Sequence, residues 1–351
     1  MIRKLLIAVI CVLILAGSGG ALWVWQGMKT LDIPVALEEP VLFNVPLGTG
    51  FGQVARKLEA EGFLADSLWM RLHGRLNPEV IQVKAGEYEI TSGMSPRQIL
   101  SKMVAGETKQ WSIQFIEGWT FQDMRQALAS SEHLTRETTD WSDDAIMKAV
   151  GAEGEHPEGR FFPDTYAFTR GETDLDLLRR SFERMEQVLA EEWESRAEDL
   201  PYDSPYEALI MASIVERETG APAERGEVAG VFVRRLQKGM RLQTDPTVIY
   251  GMGDRYAGRI TRKDLQRHTP YNTYRIDGLP PTPIALPGRE AIHAALNPKE
   301  GDALYFVARG DGTHKFSRTL NEHQKAVREF QLNRRSDYRS SPAPAVNEDA
   351  P

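Results

Sequence analysis

Cysteine is almost missing from this chain: Cys11 is the only one in 351 residues. No disulfide can form within it, and neither a cysteine-based metal site nor a CxxC redox pair exists. A basic surplus is also missing. Lys and Arg total 42 against 50 Asp and Glu, a net charge of −8. Nucleic-acid recognition usually leaves a basic face, so that class of partner is excluded. The common catalytic signatures are absent too. There is no G-x-S-x-G, no H-E-x-x-H and no Walker loop. The seven histidines (His73, His133, His156, His268, His293, His314 and His323) include no pair at helical metal spacing. A zinc site at His314 and His323 would lack a clear third ligand. Both read as structural or substrate-contacting, and no metal and no cofactor are expected. Gly48, Gly50 and Gly52 have the wrong spacing for a dinucleotide fingerprint and read as a turn.

Long apolar runs are scarce as well, with one exception at the N-terminus. Residues 5–25 carry no charge and follow Arg3 and Lys4. That length suits a helix crossing a hydrocarbon core about 30 Å thick. Trp23 and Trp25 sit where an interfacial aromatic belt lies. A cleaved signal peptide is the competing reading, but its apolar core is normally shorter and ends at a small-residue site. Here the run continues past the small residues 17–21 through Leu22, Trp23 and Val24. The reading is an uncleaved anchor. With cations before the span and only Lys29 shortly after it, the N-terminus stays in the cytoplasm and the remaining chain is exported.

The rest reads as an α+β protein with about two domains, and 41% hydrophobic content is enough for a packed core. Residues 27–40 form a linker. Residues 41–108 form a small unit: a strand at 41–45, helices from 51 and over 68–76, a strand at 86–90, and a helix at 95–104. Residues 109–335 form a larger domain. Its helices are expected at 121–129, 175–189, 206–219, 224–238, from 291, and at 321–332. Strands are expected at 111–116 and 304–308. Residues 239–288 read as irregular, Gly/Pro-rich chain. Loops this long are usually functional or disordered, and the Tyr and Asn content argues against disorder. Residues 336–351 read as a disordered tail.

One acid stands out. Counting back three, four and seven positions from Glu218 gives Val215, Ile214 and Met211, an apolar face. Glu216 counts back to Ser213, Ala212 and Leu209 and points the other way, so it reads as a surface or supporting residue. A carboxyl in an apolar setting resists ionisation, which suits a general acid near neutral pH. Glu158, Asp164 and Asp245 are other acids in aromatic or Pro-rich surroundings. Gln243, Tyr250, Tyr271, Asn272 and Tyr274 suit sugar binding, through amides that pair with hydroxyls and rings that pack on pyranose faces.

The blocks MASIVERETG, RLQKGM, RLQTDPTVIYGMG, YNTY and GLPPTPIALPG, in this order, resemble the catalytic domain of the YceG-like endolytic murein transglycosylases. EGRFFPDTY and HKFSRTLNEH resemble its flanking blocks, and residues 41–108 more weakly resemble a LysM-like subdomain. The resemblance covers nearly the whole chain except the tail. It implies lytic cleavage of the bond between N-acetylmuramic acid and N-acetylglucosamine in nascent strands, leaving 1,6-anhydro ends and ending strand growth. It places the catalytic acid and base on Glu218. Gln243, Asp245, Tyr250, Tyr271, Asn272 and Tyr274 are the candidate substrate contacts. Peptidoglycan strands, the membrane and possible peptidoglycan synthases are the expected partners. Two alternatives stay open: a hydrolytic muramidase using Asp245 or Asp164 as a second carboxylate, and a non-catalytic wall-binding protein.

Overall fold

The computed structural model describes residues 2–332. The expected tail, 336–351, lies outside them. Helices and small sheets are mixed, and the chain divides into two compact units.

The first unit holds residues 1–111 and 167–172. It begins with helix α1 (Ile2–Lys29). Strand β1 (Val41–Val45), helices α2 (Phe51–Ala60) and α3 (Ser67–Leu76), strand β2 (Gly86–Ile90) and helix α4 (Pro96–Ala105) follow. β1 and β2 pair antiparallel, with Val41 opposite Ile90 and Phe43 opposite Tyr88. Strand residues alternate between faces, so Phe43, Val45, Tyr88 and Ile90 enter the core together. Local signals fix the helix ends. Asp66 accepts from the Leu68 N–H at 2.8 Å. Ser95 and Gln98 form a reciprocal cap around Pro96, and Gly106 closes the same helix at φ 79°. Residues 27–31 belong to this core. Trp23 meets the Trp69 ring at 4.6 Å, edge on. A Cβ at Gly27 would overlap the Trp69 ring, so only glycine lets the two helices approach this closely. Leu31 is fully buried, and the Val35 N–H donates to the Met94 carbonyl at 2.8 Å.

Strands β3 (Trp111–Gln114) and β4 (Thr165–Phe168) lie where the chain passes between units. The second unit otherwise contains α5 (Phe121–Ser130), α6 (Asp143–Ala149), α7 (Asp174–Glu194), α8 (Pro205–Glu218) and α9 (Arg225–Gln237). It continues through α10 (Asp245–Met252), α11 (Arg262–Gln266), α12 (Arg289–Leu296), strands β5 (Tyr305–Ala308) and β6 (His314–Ser317), and α13 (Leu320–Val327). Helix α8 is the centre. α7, α9, α10 and α12 all pack on it, and every residue from Ala208 to Val215 is buried. A helix apolar all round belongs inside a core rather than on its surface. Ser213 is tolerated because its hydroxyl donates to the Ile210 carbonyl at 2.7 Å and accepts from the Ile284 N–H at 3.0 Å.

The expected irregular stretch 239–288 contains two helices, α10 and α11. Thr244, Asp245 and Pro246 are first-turn residue types, with Pro fitting where no intrahelical N–H is needed. The helix they start is only one and a half turns longer than that signal, too short for periodicity to reveal. Helix α6 and strand β6 escaped for the same reason.

Candidate active site

Helix α8 ends at Glu218, and the chain turns extended at Thr219. The ending matters, because it leaves the Glu218 side chain half-buried at the edge of the core rather than enclosed by a further turn. Glu218 lines a cleft of about 350 Å³ together with Gln243, Asp245, Tyr274, Arg235, Tyr305, His314 and His323.

Thr244 supports the acid directly. Its hydroxyl donates to Glu218 Oε1. Thr244 is itself fixed by two buried threonines: its N–H donates to Thr273 Oγ1 at 3.0 Å, and its carbonyl accepts from Thr247 Oγ1 at 2.9 Å. Thr247 and Thr273 share a hydrogen bond at 2.9 Å. Burial pushes the Glu218 carboxyl up from 4.5 to about 7; the Thr244 hydroxyl opposes this and the Asp245 charge reinforces it. Near pH 7 such a group holds its proton about half the time, the condition a general acid needs.

Asp245 opens α10 beside Thr244 and accepts from the Tyr274 hydroxyl at 2.7 Å. Gln243 adopts φ 53°, a left-handed conformation costly for a residue with a Cβ. Two bonds hold it there. Its N–H donates to the Thr273 carbonyl at 3.2 Å, and its Oε1 accepts from Arg235 Nη2 at 2.6 Å.

Glu218, Gln243, Asp245 and Tyr274 thus come together in one cleft. The other sequence candidates are placed differently. Asn272 is buried, and its amide donates to the carbonyls of Asp264, Leu265 and Arg267, at 2.6 Å for the last. That set shapes the loop. Tyr271 meets Tyr250 edge on at 4.9 Å and exchanges a hydrogen bond with Thr282 at 2.9 Å. Tyr250 also interacts with Glu158, whose carboxylate accepts the Phe121 N–H at 2.9 Å. Burial raises the Glu158 carboxyl to about 7, opposed by the Phe121 N–H and Tyr250. Asp164 is exposed and accepts from the Thr165 N–H at 2.7 Å. Glu216 is the supporting residue of the two readings given for it, and not a surface one. Its side chain is 6% exposed against Arg225 at 3.5 Å, and it accepts the Gly288 N–H at 3.0 Å. His314 pairs with Glu224 at 2.8 Å.

Thr244, Arg235 and Tyr305 were not singled out in the sequence. Arg235 did carry a signal, since a cation on the apolar side of α9 with Val228, Val231 and Phe232 needs a reason to be there.

The chain matches the profile of the YceG-like family over residues 43–329. It is 30% identical to an endolytic murein transglycosylase of Bacillus subtilis, covering 86% of this chain and 88% of that protein. It is 24% identical to an endolytic murein transglycosylase of Streptococcus pneumoniae, covering 93% of this chain and 65% of the other. A crystal structure of a YceG-like protein from Listeria monocytogenes aligns with a TM-score of 0.54 at 30% identity, over 82% of this chain and 99% of that one.

Proposed function

This chain belongs to the YceG-like family, and from that we propose that it is a membrane-anchored endolytic lytic transglycosylase of peptidoglycan. The bond cut lies between N-acetylmuramic acid and N-acetylglucosamine within nascent strands. Glu218 is the observation that carries the reading: a carboxyl raised to about 7, steadied by Thr244 and open to a cleft.

The chemistry needs one group in two protonation states. Protonated Glu218 gives its proton to the glycosidic oxygen as the bond to C1 breaks through an oxocarbenium-like state. The carboxylate left behind takes the proton of the muramic C6 hydroxyl, whose oxygen attacks C1. A 1,6-anhydro end forms, no water is consumed, and Glu218 regains its proton. Proximity within one sugar ring supplies much of the rate. Asp245, held by the Tyr274 hydroxyl, would face the developing positive charge as a fixed anion.

A second reading has support from one observation: Asp245 shares the cleft with Glu218 and would serve as the second carboxylate of a hydrolytic muramidase. Product masses separate the two. Lytic cleavage leaves anhydro ends without added water, whereas hydrolysis adds one water per cut and leaves a reducing sugar.

Helix α1 is long and apolar enough to cross a membrane. At 1.5 Å per residue its 28 residues span about 42 Å, more than a hydrocarbon core of about 30 Å. The surplus suits its last turns packing on α3 beyond the core. We place the N-terminus in the cytoplasm and the second unit outside the plasma membrane, where strands are polymerised. The first unit would hold glycan as a LysM-like module. Synthases are the partners that this location favours; crosslinking in native membranes should capture one, and repeated failure to do so would count against the pairing.

A further inference from the structure

We propose that Arg235 and His323 form an anion subsite in the catalytic cleft, one that takes a carboxylate carried by the muramic acid side chain. The proposal rests on the transglycosylase reading above.

Charged side chains are seldom buried unless they are paired. Arg160, Arg225 and Arg235 are the buried arginines among the described residues. Arg160 pairs with Glu155 at 2.6 Å and Glu186 at 3.2 Å. Arg225 meets Glu117 and Glu216, each at 3.5 Å, and also Glu290. Arg235 meets no carboxylate among the described residues. Its acceptors are all neutral: the Arg241 carbonyl at 2.9 Å, the Leu304 carbonyl at 3.4 Å and Gln243 Oε1 at 2.6 Å. The Tyr305 ring lies 5.4 Å from its guanidinium carbon. The guanidinium carries more N–H groups than these acceptors use. Among the described residues, then, no carboxylate offsets the Arg235 charge in the cleft wall.

His323 gives an independent sign. Its Nδ1 is buried and has no hydrogen-bond partner among the described residues. Its ring stacks on Tyr305 at 5.3 Å and 23°, so Tyr305 touches both basic residues. Burial and the Arg235 charge hold His323 toward its neutral form, which can carry its one N–H at Nδ1. His314 in the same wall differs, because its Nδ1 already meets Glu224 at 2.8 Å.

A planar guanidinium fork and a ring N–H suit an oxyanion, a carboxylate above all. The sugar backbone of peptidoglycan is uncharged. Its anionic groups branch from the lactyl ether of muramic acid, either as the free carboxylate of a denuded strand or as the carboxylates of a stem peptide. A subsite reading that branch distinguishes the muramic unit from the glucosamine unit, and so selects which glycosidic bond reaches Glu218.

The test uses the full chain in detergent and three strand sets of equal length. One is denuded, with free lactyl carboxylates. One has those carboxylates converted to neutral methylamides. One carries intact stem peptides. Wild type should prefer charged strands to methylamides by about tenfold or more in kcat/KM, and the better charged set identifies the source of the anion. Arg235→Gln should lose the preference, Arg235→Lys should keep part of it, and His323→Phe, which keeps the stacking, should weaken it. Because Arg235 also holds Gln243, the ratio between strand sets is the readout, with thermal unfolding to confirm folding. Equal wild-type rates on charged and neutral strands, or an intact preference in Arg235→Gln, would overturn the subsite. Product masses in the same digests keep the two ideas apart. Anhydro products without a charge preference sink the subsite alone, and products lacking anhydro ends sink the reading beneath it.

Discussion

Replacing Thr244 by valine removes the hydroxyl that donates to Glu218 while keeping the shape of the side chain. A hydrogen bond to a charged group is worth about 1.5–3 kcal/mol, and about 1.4 kcal/mol moves a pKa by one unit. The protonated carboxyl can still donate to the threonine oxygen, so part of that energy cancels. The net effect sits near the lower end, about one pH unit. Its sign is upward, because the lost bond favours the ionised form. Glu218 must be protonated to begin the reaction, so wild-type kcat/KM should fall as pH rises through about 7. In Thr244→Val that fall should move about one unit higher, with a lower plateau because the carboxyl is less well held. Thr244→Ser should leave the limb where it is. The assay is the pH dependence of anhydro-product formation on defined strands. An unmoved limb in the valine variant, or a shift as large in the serine variant, would mean that the Thr244 hydroxyl does not set the Glu218 titration.

Burial of Glu158 makes a stability prediction. Its folded-state pKa of about 7 lies above the ordinary 4.5, so the folded protein keeps a proton that the unfolded chain releases. The stability this lends is full below about pH 4.5 and is lost as pH rises through about 7, by at most about 3 kcal/mol. Urea unfolding of Glu158→Gln should therefore lose less stability between pH 5 and pH 8 than wild type does; an equal loss would remove Glu158 as the cause. Ile214 is fully buried at the centre of α8, and Ile214→Ala should destabilise the second unit by about 2–5 kcal/mol in the same assay. A cost below about 1 kcal/mol would mean that the core around α8 collapses to fill the gap.

Most of the regular elements could be read in the sequence because they carry period and punctuation together. β1 and β2 alternate, and α4 has Ser95, Pro96 and Gly106 at its ends. Helical spacing alone does not separate Glu218 from Glu216. The face behind Glu216, with Leu209, Ala212 and Ser213, is as buried as the face behind Glu218. What separates the acids is tertiary: Glu216 meets Arg225 and the Gly288 N–H, whereas Glu218 meets Thr244 and the cleft. No spacing within α8 encodes those partners. Asn272 shows the converse. An amide beside tyrosines looks like a sugar contact, yet its donors are spent on three loop carbonyls. Amides serve irregular backbone and sugars by the same hydrogen bonds, so residue type alone could not separate the roles.

In the proposed lytic cut one carboxyl, Glu218, gives and then retakes the proton. Digestion of defined glycan strands by wild type and by Glu218→Gln, with every product weighed, tests it most directly. Wild type should yield anhydro-ended fragments with no added water. Glu218→Gln should lose at least about a hundredfold in rate while still folding. Fragments one water heavier, or a Glu218→Gln variant as active as wild type, would contradict it.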